Sequence, residues 1–551
     1  MISGNDFWSE TIKSDLVTRD FNGREYSTFT DLQSNMYQVL KENAIEVPNK
    51  IGIVDTNGYS YTYVELLEMT DKLSSYLADK YQIKKEKHIG LLLFNSVEFI
   101  VSFLAAQKLG ATIVPFPTKY KEPEIRSLIE KSNCDLIIAD EKYSSWVSKY
   151  ENQKCQLIIC ESKEKESVNG YAFHYLNDYP ISDMEDNGAV EDVAIIMFTS
   201  GTTSFSKGVV IRNFNIQHAI SVYSRLLNVD ESDSTVLAIP IYNVTGLIAT
   251  LSLFLKCKGV VRVHKFFNVN QLLSDIYNSK VTFYHASPTI FTLMLREKGS
   301  FPELPRLKTL ACGSSNMPSE MIKELKEWLP QMSFRTIYGL SETTSPATIF
   351  PSDASISNYI GSSGQPIPGL SIKIVDDSGC ELECENTGEV WLKGTNVVEE
   401  YYQQHLDLIT KDKWLKTGDI GYLNKDGYLY IVDRKKDLIN RGGEKIFSID
   451  IENAIREIQG INEVVVVGVK DNIYGEVPAA VISFKDGYKF DEMTIKSKLK
   501  TKLAGYEIPP HYFFVDEIPK TANSKADKKR IRSYIEGQKR SEFDGNKFYK
   551  G

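Results

Sequence analysis

Cysteine is scarce and scattered in this chain, which has seven cysteines among 551 residues. The nearest pair, Cys380 and Cys384, has no second group of ligands beside it that would complete a zinc site. An odd number of isolated cysteines does not fit a disulfide framework either. We therefore expect reduced thiols and a cytoplasmic protein.

Long apolar runs and an excess of positive charge are also missing. The most hydrophobic stretch, 99–116, is interrupted by Gln107, Lys108 and Gly110, so we expect a buried helix and a strand rather than a membrane span. The first residues, Met-Ile-Ser-Gly-Asn-Asp, are neither basic nor apolar, and no signal peptide is expected. The net charge of −9 argues against a general binder of nucleic acid or anionic membranes.

The pattern that is present alternates helix and strand, starting at about Met36. Helices are predicted near 63–80, 96–109 and 122–132, and apolar strands at 88–94, 111–115 and 134–139. Strands that are apolar on both faces predict a parallel sheet covered by helices. A second α/β layer is predicted over 234–338, a small antiparallel barrel over 356–402, and a compact α+β segment after a charged stretch at 433–437. At this length the chain is expected to form more than one domain.

A loop rich in hydroxyl groups follows the apolar run Val193–Phe198. It reads Thr199-Ser-Gly-Thr-Thr-Ser-Phe-Ser-Lys-Gly-Val-Val210. Backbone N–H groups, hydroxyls and one lysine suit an oligophosphate, although a solvated Ser/Thr turn has the same composition. A P-loop is excluded, because Lys207 precedes a glycine and a strand pattern follows it. If the loop binds ATP, it does so in a strand–loop–strand hairpin.

Four further stretches follow in a fixed order. They are Tyr338-Gly-Leu-Ser-Glu-Thr-Thr344, Gly388-Glu-Val-Trp-Leu-Lys-Gly394, the segment from Lys416-Thr-Gly-Asp419 through Asp433-Arg434 to Arg441-Gly-Gly-Glu-Lys445, and Pro519-Lys-Thr-Ala-Asn-Ser-Lys525. In this order and spacing the five motifs resemble the adenylate-forming superfamily. That superfamily includes acyl- and aryl-CoA synthetases, adenylation domains of peptide synthetases, and firefly luciferase. The resemblance extends from roughly Met36 to Ile531.

The resemblance implies a fold and a reaction. The expected fold is α/β, with a large N-terminal domain of two α/β layers and a small β-barrel (1–433), a hinge (434–436), and a small mobile α+β C-terminal domain (437–551). In the expected reaction a carboxylate attacks the α-phosphate of ATP, giving an acyl-adenylate and pyrophosphate, and a thiol then takes the acyl group.

The resemblance also implies roles in the large domain. Glu342 is the expected Mg²⁺ ligand, since a hard cation that bridges phosphates prefers a carboxylate oxygen. Tyr338 is expected to stack on adenine. The other residues expected to bind ATP or AMP are Thr199, Ser200, Gly201, Thr202, Thr203, Ser204, Lys207, Gly313, Ser314, Gly339 and Ser341. Thr199 is also expected to act in catalysis. The family usually has glycine at 204, so serine there restricts the backbone of the loop.

Further roles fall near and beyond the hinge. Asp419 is expected to accept hydrogen bonds from both ribose hydroxyls, with Arg434 assisting. Lys525 matches the lysine that bridges the carboxylate and the α-phosphate, although Ser524 replaces the usual glycine before it. Lys436 matches the hinge position. The thiol is expected to pass the loop of Arg441, Gly442 and Gly443.

The acid is less defined. Many acyl- and aryl-CoA synthetases carry histidine where this chain has Asn243, and no aspartate nearby would pair with an α-ammonium group. The residues expected near the acid are Tyr242, Asn243, His285, Ser287, Ser315 and Ser345. Their polarity favours an aromatic or short hydroxylated acid over an amino acid.

Two acceptors stay open for the second step. An acid–CoA ligase would use CoA, whereas a stand-alone adenylation enzyme would load the phosphopantetheine of a carrier protein. The stretch Asn523–Lys528 resembles carrier-loading enzymes. An inactive homologue with a binding role is a third alternative, which the presence of Glu342, Asp419, Arg434 and Lys525 opposes.

Overall fold

The computed structural model of the chain describes residues 1–150, 155–160, 173, 176–199, 206–279, 281–404, 406–442, 444–521 and 525–537. The chain divides into two compact units. Unit 1 comprises Met1–Ile372 and Leu392–Leu415, and unit 2 comprises Lys373–Trp391 and the chain from Lys416 onwards. In the described part of the chain, no helix is both long and apolar enough to cross a membrane.

The first half of unit 1 contains the predicted alternation. Its strands and helices are β1 Ile2–Ser3, α1 Glu10–Lys13, β2 Leu16–Phe21, β3 Arg24–Phe29, α2 Met36–Glu46, β4 Ile51–Val54, β5 Ser60–Thr62, α3 Tyr63–Tyr81, β6 His88–Leu92, α4 Val97–Leu109, β7 Thr112–Pro115, α5 Glu122–Ser132, β8 Leu136–Asp140, α6 Ser144–Val147, β9 Gln156–Cys160, β10 Val193–Thr199, β11 Lys207–Arg212 and α7 Asn213–Leu227. The order β11-β10-β7-β6-β8-β9 forms one sheet, parallel from β10 to β9. The predicted parallel sheet is therefore present.

Local sequence explains the ends of these helices. Helix α3 starts with a capping box, in which Thr62 and Glu65 each bond the other's backbone N–H. Helix α4 starts at Ser96, whose side chain accepts from the N–H of Phe99. It ends at Gly110, which has a left-handed φ of 67°. The apolar stretch 99–116 is thus a buried helix followed by strand β7, as predicted.

The second half of unit 1 contains shorter elements. They are β12 Ser234–Leu237, α8 Val244–Gly246, a π-helix Leu247–Ser252, α9 Leu253–Lys256, β13 Val260–Val263, α10 Val269–Asn278, β14 Phe283–Ala286, α11 Pro288–Arg296, β15 Thr309–Cys312, α12 Ser319–Trp328, β16 Ser333–Tyr338, β17 Thr348–Ile349 and β18 Gln365–Pro366. The segment 234–338 contributes to two sheets, because β12 and β13 pair with β4 and β5 whereas β14 to β18 form another. In that last sheet β14, β15 and β16 are parallel, so their carboxyl ends meet at one edge.

Unit 2 contains the predicted α+β segment together with residues 373–391 and 416–433, which precede it in the chain. After β19 Leu370–Val375 and β20 Gly388–Gly394, in which the chain passes between the units, come β21 Leu415–Leu423, β22 Leu429–Arg434, β23 Ile439–Arg441, β24 Glu444–Ile446, α13 Ser448–Arg456, β25 Ile461–Asp471, β26 Gly475–Phe484, α14 Glu492–Leu499, β27 His511–Phe514 and α15 Lys528–Gly537. Strands β24-β23-β26-β25, with β27 parallel to β26, form its main sheet. Each face of this sheet carries its own buried cluster, one under α13 and α14 and the other under α15.

The unit boundary falls earlier in the chain than the predicted hinge. Residues 434–436 lie inside unit 2, where Lys435 pairs with Glu389 at 3.0 Å and Thr417 donates to the carbonyl of Val390 at 2.7 Å. These contacts hold 416–435 against 373–391. The hinge at 434–436 stays a prediction.

Candidate active site

The hydroxyl-rich loop connects two antiparallel strands. Strands β10 and β11 pair up to Thr199 and Lys207, the last pair before the loop. The predicted strand–loop–strand hairpin is therefore confirmed. The predicted phosphate-binding residues Ser200, Gly201, Thr202, Thr203 and Ser204 lie outside the described residues. Strand β11 packs against the turn 341–343, which brings the hairpin close to Glu342.

The carboxyl ends of β14, β15 and β16 bring several predicted residues to one edge. Ala286, Cys312 and Thr336 are in register across the three strands. Ser287 follows β14, Gly313 follows β15, and Tyr338 ends β16. Ser314 has a left-handed φ of 71°, and Ser315 is exposed. Ligands of open α/β sheets bind outside such carboxyl ends.

The turn after Tyr338 is closely packed around a glycine. A Cβ at Gly339 would lie 1.5 Å from the carbonyl oxygen of Ser345, so only glycine fits there. Thr344 and Ser345 have positive φ values of 51° and 100°, which is strained for residues with side chains. The Ser345 hydroxyl lies 2.8 Å from the hydroxyl of Tyr223, and this contact helps to hold the turn.

Glu342 is held by groups that are distant in sequence. The short helical turn Ser341–Thr343 carries it, and its carbonyl accepts from the N–H of Val398 at 2.9 Å. Its carboxylate accepts from the hydroxyl of Tyr401 at 3.1 Å. Burial, and then the nearby carboxylate, raise the pKa of Tyr401 well above its usual range, so Tyr401 stays a donor. Sequence reasoning missed Tyr401, because nothing local links it to Glu342.

The charge of Glu342 suits a metal bound largely through phosphates. Within the described residues, no group of three or more His, Cys, Asp or Glu side chains could enclose a metal. Mg²⁺ commonly binds one or two carboxylates together with substrate phosphates. A single half-buried carboxylate on a turn that contacts β11 fits that kind of site.

A buried asparagine holds the start of the segment 239–246. The amide of Asn95 donates to the carbonyl of Ile239 at 2.9 Å and accepts from the N–H of Ile241 at 2.8 Å. Tyr242 is buried and Asn243 is half-buried. The side chain of Asn243 does not cap α8, which it precedes. Asn95 carries no motif, so the sequence alone does not identify its role.

Two further predicted residues form an ion pair in unit 2. Asp419 on β21 and Arg434 at the end of β22 are direct partners across an antiparallel pair, and Arg434 Nε lies 2.9 Å from Asp419 Oδ1. The Asp419 side chain is 2% exposed and that of Arg434 41%. A buried carboxylate is tolerated when it is paired, so this ion pair fixes the position of a hydrogen-bond acceptor.

The other predicted residues of unit 2 lie in separate places. Burial lowers the pKa of Lys436. The guanidinium of Arg441 lies 4.8 Å from the ring centroid of Tyr474 and donates to the carbonyl of Tyr506. Gly442 has a φ of 61°, and Gly443 lies outside the described residues. Lys525 is exposed at the start of the last described segment, where its carbonyl accepts from the N–H of Thr521.

The chain matches two families of known proteins. The family described as AMP-binding enzyme matches residues 40–402, and the AMP-binding enzyme C-terminal domain matches residues 450–525. The oxalate–CoA ligase of Arabidopsis thaliana is 28% identical over 521 residues, covering 92% of this chain and 99% of the relative. The 2-succinylbenzoate–CoA ligase of Bacillus velezensis is 29% identical over 506 residues, covering 91% and 98%.

A solved structure agrees along nearly the whole length. The o-succinylbenzoate CoA synthetase of Bacillus subtilis, in complex with its acyl-adenylate intermediate, matches with a TM-score of 0.80 and 26% identity. The match covers 91% of this chain and 98% of that one. The same synthetase has also been solved in complex with ATP and a magnesium ion, and that structure matches with a TM-score of 0.79 and 26% identity.

Proposed function

We propose that this chain joins a small carboxylic acid to CoA. The chain belongs to the AMP-binding enzyme family and is an AMP-forming acid–thiol ligase. The observation that carries this proposal is the placement of Glu342. Its carboxylate accepts a hydrogen bond from Tyr401, and the turn that carries it contacts β11, the strand that follows the hydroxyl-rich loop. A fixed anion close to the strand that follows a sequence rich in hydroxyl groups suits a magnesium-bound triphosphate.

In the first half-reaction an oxygen of the acid attacks the α-phosphorus of ATP. The bond between the α-phosphorus and the bridging oxygen breaks, and pyrophosphate leaves with that electron pair. Mg²⁺ would supply charge neutralisation on the phosphates, with Glu342 as its protein ligand. Tyr338 and the carboxyl edge of β15, at Gly313 and Ser314, would receive the adenosine. Lys525 would stabilise the charge that develops between the carboxylate and the α-phosphate.

In the second half-reaction the thiol sulfur attacks the acyl carbon of the adenylate. The carbon–oxygen bond to AMP breaks, AMP leaves, and the thiol proton passes to solvent. We infer that residues 437–551 move about Lys436 between the half-reactions, taking Lys525 away and presenting Arg441 and Gly442 to the thiol. Asp419 and Arg434 would hold the ribose, since a paired carboxylate can accept from two vicinal hydroxyls.

CoA is the acceptor favoured by the names of the relatives. A carrier-protein phosphopantetheine offers the same thiol, and the stretch that resembles carrier-loading enzymes, 523–528, lies partly outside the described residues. The acceptor is therefore tested directly. The purified chain is given ATP, Mg²⁺ and an acid that it activates, together with CoA or a phosphopantetheinylated carrier protein. We expect a thioester with CoA, detected by mass spectrometry.

The adenylation step is tested by ATP–pyrophosphate exchange over a panel of carboxylic acids. We expect exchange with aryl or short acyl carboxylates and little with α-amino acids, because no aspartate lies near Asn243 in sequence. Exchange with proteinogenic amino acids alone would contradict the assignment of substrate class. The absence of exchange with every acid, at any Mg²⁺ concentration, would contradict the proposed function.

A further inference from the structure

The hairpin of strands β2 and β3, residues 16–29, lies outside both family matches, which cover 40–402 and 450–525. Its two strands pair along their whole length. The turn between them, Asn22 and Gly23, has positive φ values of 53° and 76°, which a two-residue hairpin of this kind requires. The family matches therefore assign no role to this hairpin.

The hairpin is fixed on helix α7 of unit 1. The ring of Phe21 stacks on that of Phe214, with centroids 4.7 Å apart, and Phe21 is buried. Oγ1 of Thr28 lies 2.9 Å from Nδ1 of His218 on the same helix. A two-stranded hairpin is marginal by itself and needs packing of this kind to be stable. Once it is held, its remaining side chains can hold other segments in turn.

Strand β3 contacts the segment 395–402 at three places. Arg24 Nη1 lies 2.5 Å from Glu399 Oε1, and the hydroxyl of Tyr26 donates to the same oxygen. The hydroxyl of Thr395 donates to a carbonyl of β3 at 2.7 Å. Burial, and then the nearby carboxylate, raise the pKa of Tyr26 well above its usual range, so Tyr26 stays a donor. Hydrogen bonds to a carboxylate are stronger than neutral ones, so Glu399 is the firmest of these contacts.

The same segment holds the turn that carries Glu342. The N–H of Val398 donates to the carbonyl of Glu342 at 2.9 Å, and the hydroxyl of Tyr401 donates to its carboxylate at 3.1 Å. The buried amide of Asn396 donates to the carbonyl of Thr343 at 2.8 Å. The segment 395–402 therefore lies between the hairpin and the turn, and hydrogen bonds join it to both.

We propose that the β2–β3 hairpin, through Tyr26 and Glu399, positions the carboxylate of Glu342 for Mg²⁺. The inference rests on the proposed function in taking Glu342 as the metal ligand. Glu399 follows Val398 directly and precedes Tyr401 by two residues, so a shift of its backbone displaces both donors to Glu342. Tyr26 and Glu399 are positioning residues. Their loss should weaken the affinity for Mg²⁺, as the loss of other groups that orient a metal ligand does.

The test removes one hydroxyl and measures Mg²⁺ dependence without catalysis. Tyr26→Phe keeps the ring, which lies 6.0 Å from that of Phe21, and loses only the donor to Glu399. Calorimetric titration of ATP into the full chain, over a series of Mg²⁺ concentrations, gives the concentration for half-maximal ATP binding. We expect that concentration to rise by roughly 3- to 10-fold, below the range for groups that touch a metal ligand directly. Urea unfolding of the same variant shows whether the fold is kept.

Two controls test the route. Tyr179→Phe also removes a hydroxyl that contacts a carboxylate, that of Asp79 at 3.0 Å, and should leave the Mg²⁺ dependence unchanged. Adding Tyr26→Phe to Tyr401→Phe should raise the half-maximal concentration by a smaller factor than Tyr26→Phe does alone, because coupled residues are not additive.

The outcomes separate the two proposals. An unchanged half-maximal Mg²⁺ concentration in folded Tyr26→Phe overturns the role of the hairpin, and so does an equal shift in Tyr179→Phe or a full additive shift in the double variant. If Tyr26→Phe does not fold, Glu399→Gln replaces it, since it keeps the size of the side chain and removes its charge, and an unchanged concentration there overturns the role. ATP binding needs no acid. A chain that shows the expected shifts but activates no acid therefore loses the proposed function alone.

Discussion

The hydrogen bond between Tyr401 and Glu342 gives the sharpest test of the metal site. Tyr401→Phe removes one hydroxyl and leaves the buried ring, so the packing around the turn 341–343 is kept. The carboxylate then loses its donor at 3.1 Å and with it a fixed orientation. We therefore expect Tyr401→Phe to weaken Mg²⁺ binding more than it lowers the maximal rate.

The magnitude follows from the type of bond. Hydrogen bonds to charged groups contribute about 1.5–3 kcal/mol, and each 1.4 kcal/mol corresponds to about a factor of ten in affinity. Groups that orient a metal ligand typically change metal affinity by about 10- to 100-fold when they are removed. The Mg²⁺ concentration for half-maximal pyrophosphate exchange should therefore rise by at least about 10-fold. At saturating Mg²⁺ most of the rate should return.

The neighbouring tyrosine provides the control. Among the described residues, the hydroxyl of Tyr402 contacts Asn133 and the carbonyl of Ser132, each at 3.4 Å, and Gln403 at 3.1 Å, rather than Glu342. Tyr402→Phe should leave the Mg²⁺ dependence unchanged. Glu342→Gln should lower exchange by orders of magnitude at every Mg²⁺ concentration, since it removes the charge itself. An unchanged half-maximal concentration in Tyr401→Phe, or an equal shift in Tyr402→Phe, would refute the orientation of Glu342 by Tyr401.

Three other predictions concern the half-reactions, the ribose site and acid stability. Lys525→Ala should slow adenylate formation, measured by pyrophosphate exchange, by about 10²- to 10³-fold, yet still transfer the acyl group from synthetic acyl-adenylate to CoA. Lys436→Pro should form the adenylate but fail to transfer the acyl group. Equal slowing of both steps by Lys525→Ala would contradict the domain-rotation scheme. Arg434→Ala should raise the KM for ATP more than that for the acid, because Asp419 would lose its partner at 2.9 Å; equal changes in both KM values would argue against a ribose site. His218 is fully buried between Thr28 and the carbonyl of Pro368, and burial lowers its pKa to about 4. Its ordinary pKa of about 6.5 in the unfolded chain means that protonation favours unfolding, so stability should fall as pH drops from about 6.5 towards 4, by about 2 kcal/mol between pH 7 and pH 5. Urea unfolding of wild type and His218→Gln at both pH values should show a smaller loss in the variant.

The sequence was sufficient for features set by local pattern. Hydrophobic periodicity and the terminating Gly110 located α4, and the apolar runs located the parallel sheet. The glycine after Lys207 and the strand pattern beyond it gave the hairpin. Each of these features depends on residues that are neighbours in the chain, so it can be predicted from the sequence alone.

Contacts between distant residues could not be predicted in this way. Tyr401 reaches Glu342 across 59 positions, and Asn95 reaches the carbonyl of Ile239 across 144. Neither residue belongs to a motif, and each acts only because the fold brings two segments together. The unit boundary is similar, since residues 373–391 and 416–435, which lie apart in the chain, belong to one unit and are joined by contacts such as that of Lys435 with Glu389.

Residues of the candidate site differ in how much change they tolerate. Gly339 is fixed by the backbone, because the carbonyl of Ser345 occupies the space of any Cβ. Ser345 is in turn held at a strained φ of 100° by its contact with Tyr223, whose ring also faces His285. The turn that carries Glu342 and the side chain of His285, which is expected near the acid, therefore share one neighbouring residue. Tyr223→Phe, which keeps the ring but releases Ser345, should reduce exchange with every acid by a similar factor and leave the preference between acids unchanged. A change in preference would show that the hydroxyl of Tyr223, and not only its ring, contributes to the choice of acid.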